Sequence, residues 1–143
     1  MADMTMFPAI INTMLPGDVS LGMPAASEAG VQSYFEQHDL AALVDDFTQL
    51  LGGVALVKCG QAFMSLDAAA RLQAINACKL ANVRLFSTFL TQVLRAYYTA
   101  PEVLRLIGAG SLPPFPSGNE LAQDDWSMLE SVFERGKVYR EVL

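Results

Sequence analysis

The stretch NVRLFSTFLTQVLRAYYT, Asn82 to Thr99, decides the fold. Val83, Phe86, Phe89, Leu90, Val93, Leu94 and Tyr97 recur at three- and four-residue spacing, so on a helix they form one wide apolar stripe. Arg84, Gln92 and Arg95 fall on other faces. A stripe this wide must be covered by other elements, and the rest of the chain has to supply them. Nothing between Asp67 and Thr99 breaks a helix, so the segment reads as one long helix or as two with a kink. Pro101 ends it, and a short helix from Pro101 to Ile107 closes at Gly108-Ala109-Gly110.

Working back toward the start, the same period continues. Leu72, Ile75, Ala77, Cys78 and Leu80 extend the stripe before Asn82, with Ser65 or Asp67 as the N-cap. A helix predicted from Asp39, which can cap it, has Leu40, Leu43, Val44, Phe47, Leu50, Leu51 and Val54 as its core face. Gly52-Gly53 inside it marks either a bend or a close approach of another helix, because each glycine weakens a helix by about 1 kcal/mol. A shorter helix, residues 25–38, sets Ala26, Ala29, Val31, Tyr34 and Phe35 on one face. The N-terminal helix, residues 5–15, carries Phe7, Ile10, Ile11, Met14 and Leu15, with Pro8 in its first turn and Pro16-Gly17-Asp18 as its stop. Beyond Gly110, the proline-rich loop 111–120 excludes a helix, and a last helix over 124–135, capped by Asp124 or Asp125, ends at Gly136. The expected fold is all-α, a single-domain bundle of about five to seven helices with long loops, over residues 1–143.

Composition narrows the function. Of 143 residues, 52% are apolar and 17% charged, with net charge −6; mean hydropathy is +0.32. Such a chain is not intrinsically disordered. Its charged share is below the common one of about a quarter, so part of the apolar surface is expected to meet a partner. The nine Lys and Arg residues are dispersed, which excludes the basic footprint of a nucleic-acid binder. No stretch is long and apolar enough for a transmembrane segment. MADMTMFPAIINTML has Asp3 where a signal peptide carries a cation, so no export signal is seen and a cytoplasmic location is expected.

Catalytic constellations are scarce. His38 is the single histidine and falls at a predicted helix C-terminus, where imidazole meets free carbonyls. Asp45-Asp46 and Asp124-Asp125 are sequence neighbours that point apart on a helix and make no shared carboxylate site. Cys59 and Cys78 stand in apolar helical surroundings that suit free thiols, and one His with two distant Cys has no zinc spacing. No phosphate-cradling glycine motif occurs. The chain is therefore expected to hold no catalytic, cofactor or metal residues of its own. Two loops suit recognition instead: LPGD, Leu15 to Asp18, and PPFPSGN, Pro113 to Asn119, a stiff segment displaying Phe115.

AIINTMLPGD, Ala9 to Asp18, followed by PAASEAGVQSYF, Pro24 to Phe35, resembles the start of the gluconate 2-dehydrogenase subunit 3 family. The family pairs a helix exit of this kind with an E-A-G-V-x-x-Y helix, here Glu28-Ala29-Gly30-Val31 with Tyr34. LRAYYTAPEVLRLIG, Leu94 to Gly108, is similar to the family's aromatic helix end and the break after it. The resemblance implies a small non-catalytic subunit that binds and stabilises a large dehydrogenase subunit of the glucose–methanol–choline type. That large flavoprotein would carry FAD and the active site, and a cytochrome c subunit often completes the set. Many members have a twin-arginine signal that this chain lacks, and periplasmic placement would then need co-export with the partner. Where many have Tyr-Gly-Gly-Asn, this chain has Pro116-Ser117-Gly118-Asn119, so only Gly118 and Asn119 carry over.

The expected partner surface is Phe7, Leu15 and Asp18 near the start, with Phe115, Asn119 and Trp126 near the end. Aromatic anchors of this sort dominate interface energies. The competing expectation is a stand-alone helical binding module that homo-oligomerises and holds a small apolar ligand between its helices.

Overall fold

The computed structural model describes residues 5–109 and 125–138. Among them run seven α-helices: α1 (Met6–Met14), α2 (Val31–Gln37), α3 (Ala41–Cys59), α4 (Ala68–Ala81), α5 (Val83–Tyr98), α6 (Pro101–Leu106) and α7 (Glu130–Arg135). Short 3-10 turns occupy Phe63–Ser65 and Trp126–Leu129. The described residues contain no strand, only an isolated bridge between Asp18 and Met23, so the all-α class holds. The chain divides into two compact units, Met1–Ser111 and Leu112–Leu143. Every described residue of the second unit is solvent-exposed, and the buried core found among the described residues lies in the first.

Within the first unit α5 is central and packs against α2, α3, α4 and α6. Its buried residues are Phe86, Phe89, Val93, Ala96 and Tyr97. The ring of Phe89 lies parallel to that of Phe47 on α3, with centroids 4.0 Å apart. Phe35 of α2 and Phe7 of α1 meet the same ring at 5.8 and 6.3 Å. One side chain thus joins four helices, and its contacts exploit both the area and the tilted geometry that aromatic rings favour. Val83, assigned to the stripe from the sequence, is instead 60% exposed. It occupies the first turn of α5, beyond the reach of the packed neighbours.

Asn82 resolves the long Asp67–Thr99 segment into two helices. Its backbone is extended, and its side-chain carbonyl accepts the Leu85 N–H at 3.0 Å, which caps α5. Asp67 caps α4 in the same manner through the Ala70 N–H at 2.8 Å. Other boundaries differ from expectation. The predicted helix 25–38 shrinks to α2, because Gly30 adopts φ 78° and separates a turn over 25–29 from the helix. Asp39 does not cap α3. It sits at φ 53° between α2 and α3, with Leu40 N–H bonded back to Phe35 O at 3.0 Å and Asp39 N–H to Glu36 O at 3.4 Å. This is the Schellman end of α2, and Asp39 fills the left-handed position that glycine normally takes. Gly52-Gly53 makes neither a break nor a close contact: α3 runs unbroken, and a Cβ at either glycine would meet nothing within 4 Å. Near the C-terminus, Asp125 accepts the Ser127 N–H at 3.0 Å and opens a 3-10 turn, so α7 is shorter than the predicted helix 124–135. Asp124 lies outside the described residues.

Two measurements check this description. Phe89→Ala removes the ring shared by four helices and should cost about 3–5 kcal/mol in urea unfolding. Asp39→Val places a β-branched residue at positive φ and should cost about 1–2 kcal/mol, whereas Asp39→Gly should cost nothing measurable.

Candidate functional site

Loop 15–26 is built from short-range polar bonds around a glycine. Asp18 and Met23 exchange backbone hydrogen bonds at 2.9 and 2.8 Å, and the Ala26 N–H reaches Leu15 O at 3.0 Å. The Asp18 carboxylate accepts from the Ser20 hydroxyl and from the Ser20 and Leu21 N–H groups. Those bonds, the Ser20 hydroxyl first, hold its carboxyl below the ordinary value. Gly17 has φ 79°, and a Cβ there would stand 2.7 Å from Met23 O and 2.8 Å from Ala25 N, both backbone atoms that cannot swing away. From the far side the Tyr97 hydroxyl donates to Pro24 O at 2.7 Å and ties the loop to α5.

The structure separates the residues expected at a partner surface. Phe7 is 3% exposed and its ring lies 5.1 Å from Phe35, so it is core and offers no surface. Leu15 is half-buried against the core, and Asp18 is exposed at the loop. Trp126, 64% exposed, belongs to the second unit. Phe115 and Asn119 lie outside the described residues. Leu15 and Asp18 therefore share one loop, and Phe7 contributes to it only by anchoring α1 beneath.

A second surface among the described residues is apolar. Between the C-terminal halves of α3 and α4 lies a groove of about 590 Å³. Leu50, Val54 and Val57 form one wall, Ala77, Leu80 and Ala81 the other, with Gly53 set among them. Among the described residues, Lys58 is the one charged residue lining it, and no carboxylate does. Leu80, read from the sequence as a core residue, is 87% exposed, and Leu72 on the same helix is also exposed. Both corrections have one cause: α4 buries only the narrow face of Ala74, Ile75 and Cys78. A signal was present in the sequence. From Leu50 to Val57 apolar or glycine residues occupy every position, more than a single buried stripe uses.

Redox and acid–base groups are few here. The His38 Nδ1 donates to Tyr34 O at 2.9 Å, and its ring stacks on Tyr34 at 3.9 Å, as a helix-end histidine would. Among the described residues no three His, Cys, Asp or Glu side chains gather as metal ligands. Cys59 and Cys78 are both free thiols. Burial pushes the Cys78 thiol up to about 11.

Several outcomes follow from these placements. Native protein should react with a thiol reagent at Cys59 well before Cys78, and at both after denaturation, as read by mass spectrometry. The folded state holds the Cys78 thiol neutral above its ordinary value near 8.5. That contribution is complete below about pH 8.5 and is lost as pH rises toward 11, so Cys78→Ala should flatten the alkaline fall in thermal stability. Gly17→Ala should cost at least about 2 kcal/mol, since its methyl would meet backbone.

Comparison with protein-family models, curated protein sequences and solved structures finds no match to this chain. The likeness to the gluconate 2-dehydrogenase subunit 3 family rests on the motifs within Ala9–Asp18, Pro24–Phe35 and Leu94–Gly108 alone.

Proposed function

We propose that this chain is a non-catalytic binding subunit, and that its α3–α4 groove receives a helix of a larger partner protein. The single observation that carries the reading is the groove itself. Gly53 stands in mid-helix, a placement that costs about 1 kcal/mol relative to alanine. No neighbour among the described residues makes use of the space above it. That space, walled by Leu50, Val57 and Leu80, suits the close approach of a second backbone. The fitting partner segment has an apolar stripe to fill the groove and a carboxylate at its edge to meet Lys58. The motif resemblance supplies the partner's class, a large FAD-dependent dehydrogenase subunit of the glucose–methanol–choline type. FAD would then reside in that subunit and none in this chain, and a cytochrome c would be a third member.

A second reading draws on the volume of the groove, which is of the size that small-molecule sites have. In it, two copies of the chain meet over the groove and enclose an apolar ligand.

Co-expression with a large FAD-dependent dehydrogenase subunit of the glucose–methanol–choline type from the same genome separates the two readings. The first expects co-purification of the two proteins. Leu80→Glu should weaken the complex by at least about tenfold, since a leucine of this exposure can bury about 1.5–3 kcal/mol of apolar surface at an interface. Val19→Glu, at a fully exposed position away from the groove, should leave it intact. Independent purification of an equally soluble and active flavoprotein would remove the first reading. A homodimer in sedimentation that Leu80→Glu dissociates would establish the second.

A further inference from the structure

We propose that the pocket between α1 and α4 is a binding site for an aliphatic carboxylate, with Arg71 as its anion-binding group. The pocket holds about 400 Å³, and Arg71 and Asn12 are the residues in it with hydrogen-bond donors to spare. Ala9, Pro16 and Leu72 supply apolar wall. This site is independent of the α3–α4 groove and does not rest on the reading given to it.

Arg71 is held in place without being saturated. Its Nε donates to Phe63 O at 3.3 Å and its Nη2 to Met64 O at 2.8 Å. The guanidinium carbon lies 5.5 Å from the centroid of the Phe63 ring. These bonds engage two of the five guanidinium N–H groups and leave the others. Asp67, four residues earlier at the N-cap of α4, would be the ordinary ion-pair partner at that spacing. It directs its carboxylate to the Ala70 N–H instead, and no carboxylate among the described residues pairs with Arg71.

Asn12 adds a second donor. Its side-chain oxygen accepts the Ser27 N–H at 2.9 Å, which identifies the oxygen and leaves both Nδ2 hydrogens without an acceptor among the described residues. Thr13 contributes no proton, because its hydroxyl donates to Ala9 O at 2.7 Å. The pocket therefore offers a cationic guanidinium and a neutral amide, with N–H groups that only water occupies, beside aliphatic surface, in a chain of net charge −6. An acceptor-only group with two coplanar oxygens matches a guanidinium edge, and a short branched hydrocarbon tail matches the wall. Two sources present that chemistry, a free short-chain acid and the C-terminal residue of a peptide.

Nitrogen-detected NMR titration of the full chain tests the site with isovalerate, N-acetyl-leucine and N-acetyl-leucinamide. Both acids should shift the Arg71 Nε and Asn12 Nδ2 resonances, and the amide should not. Tighter binding of isovalerate would identify the free acid as the source, and tighter binding of N-acetyl-leucine the peptide terminus. Asn12→Asp keeps the acceptor for Ser27 but replaces the spare donor with a negative charge, so it should weaken acid binding at least about tenfold while the backbone spectrum stays folded. Arg71→Lys keeps the charge and loses the planar fork, and should weaken it as well. Absence of shifts at these two side chains up to about 20 mM acid, equal shifts from the amide, or undiminished binding by Asn12→Asp would each overturn the proposal.

Discussion

The parallel contact of Phe89 with Phe47, 4.0 Å between centroids, is the constraint on which the bundle depends. Both rings are fully buried, and Phe89 also touches Phe7 and Phe35. Four helices from widely separated parts of the chain thus converge on one side chain. Interiors are packed like organic crystals, so such a hub tolerates little change in volume. Once α1, α2, α3 and α5 are set around it, α4 can bury only Ala74, Ile75 and Cys78. The remaining faces of α3 and α4 are left to water or to a partner.

That consequence accounts for the apolar surplus of the composition. The N-terminal helix, where an interface would be sought from the sequence, spends Phe7, Ile10 and Ile11 on the core. Exposed hydrophobes stand instead at Val19 and Leu21 in the loop after α1, at Val57 and Leu80 beside the groove, and at Trp126, Met128 and Phe133 in the second unit. The loop after α1 serves the fold too. Gly17 and the Asp18 carboxylate set the loop's own turn, and the Tyr97–Pro24 hydrogen bond ties it to α5.

Helical content was legible because period 3.6 is written in single residues. The stripe over 82–99 matches the buried face of α5 at Phe86, Phe89, Val93 and Tyr97. Of the two N-caps the sequence offers, Ser65 and Asp67, the helix takes Asp67; Pro101 separates α5 from α6; and where the sequence leaves 67–99 as one helix or two with a kink, the Asn82 cap makes it two. Errors arose where a local signal had two physical outcomes. Asp39 has the composition of an N-cap, yet a polar residue that tolerates positive φ also suits the end of the preceding helix. Gly30 inside an apolar period looked tolerable, but its left-handed conformation begins α2 rather than sitting within it. Leu80 and Val83 have the right period and the wrong neighbours.

By itself the sequence determined the class of fold and the main helices, because these depend on residues within a turn or two of each other. It also determined the poverty of catalytic groups, with one histidine and two separated cysteines. Only the tertiary structure decided which apolar faces are core and which are surface, since burial depends on which helices lie alongside. It decided that Phe7 is inside, that Leu80 is outside, and that Arg71 and Asn12 share a pocket although 59 positions separate them in the chain. Those juxtapositions arise from packing around Phe89, and no local pattern encodes them.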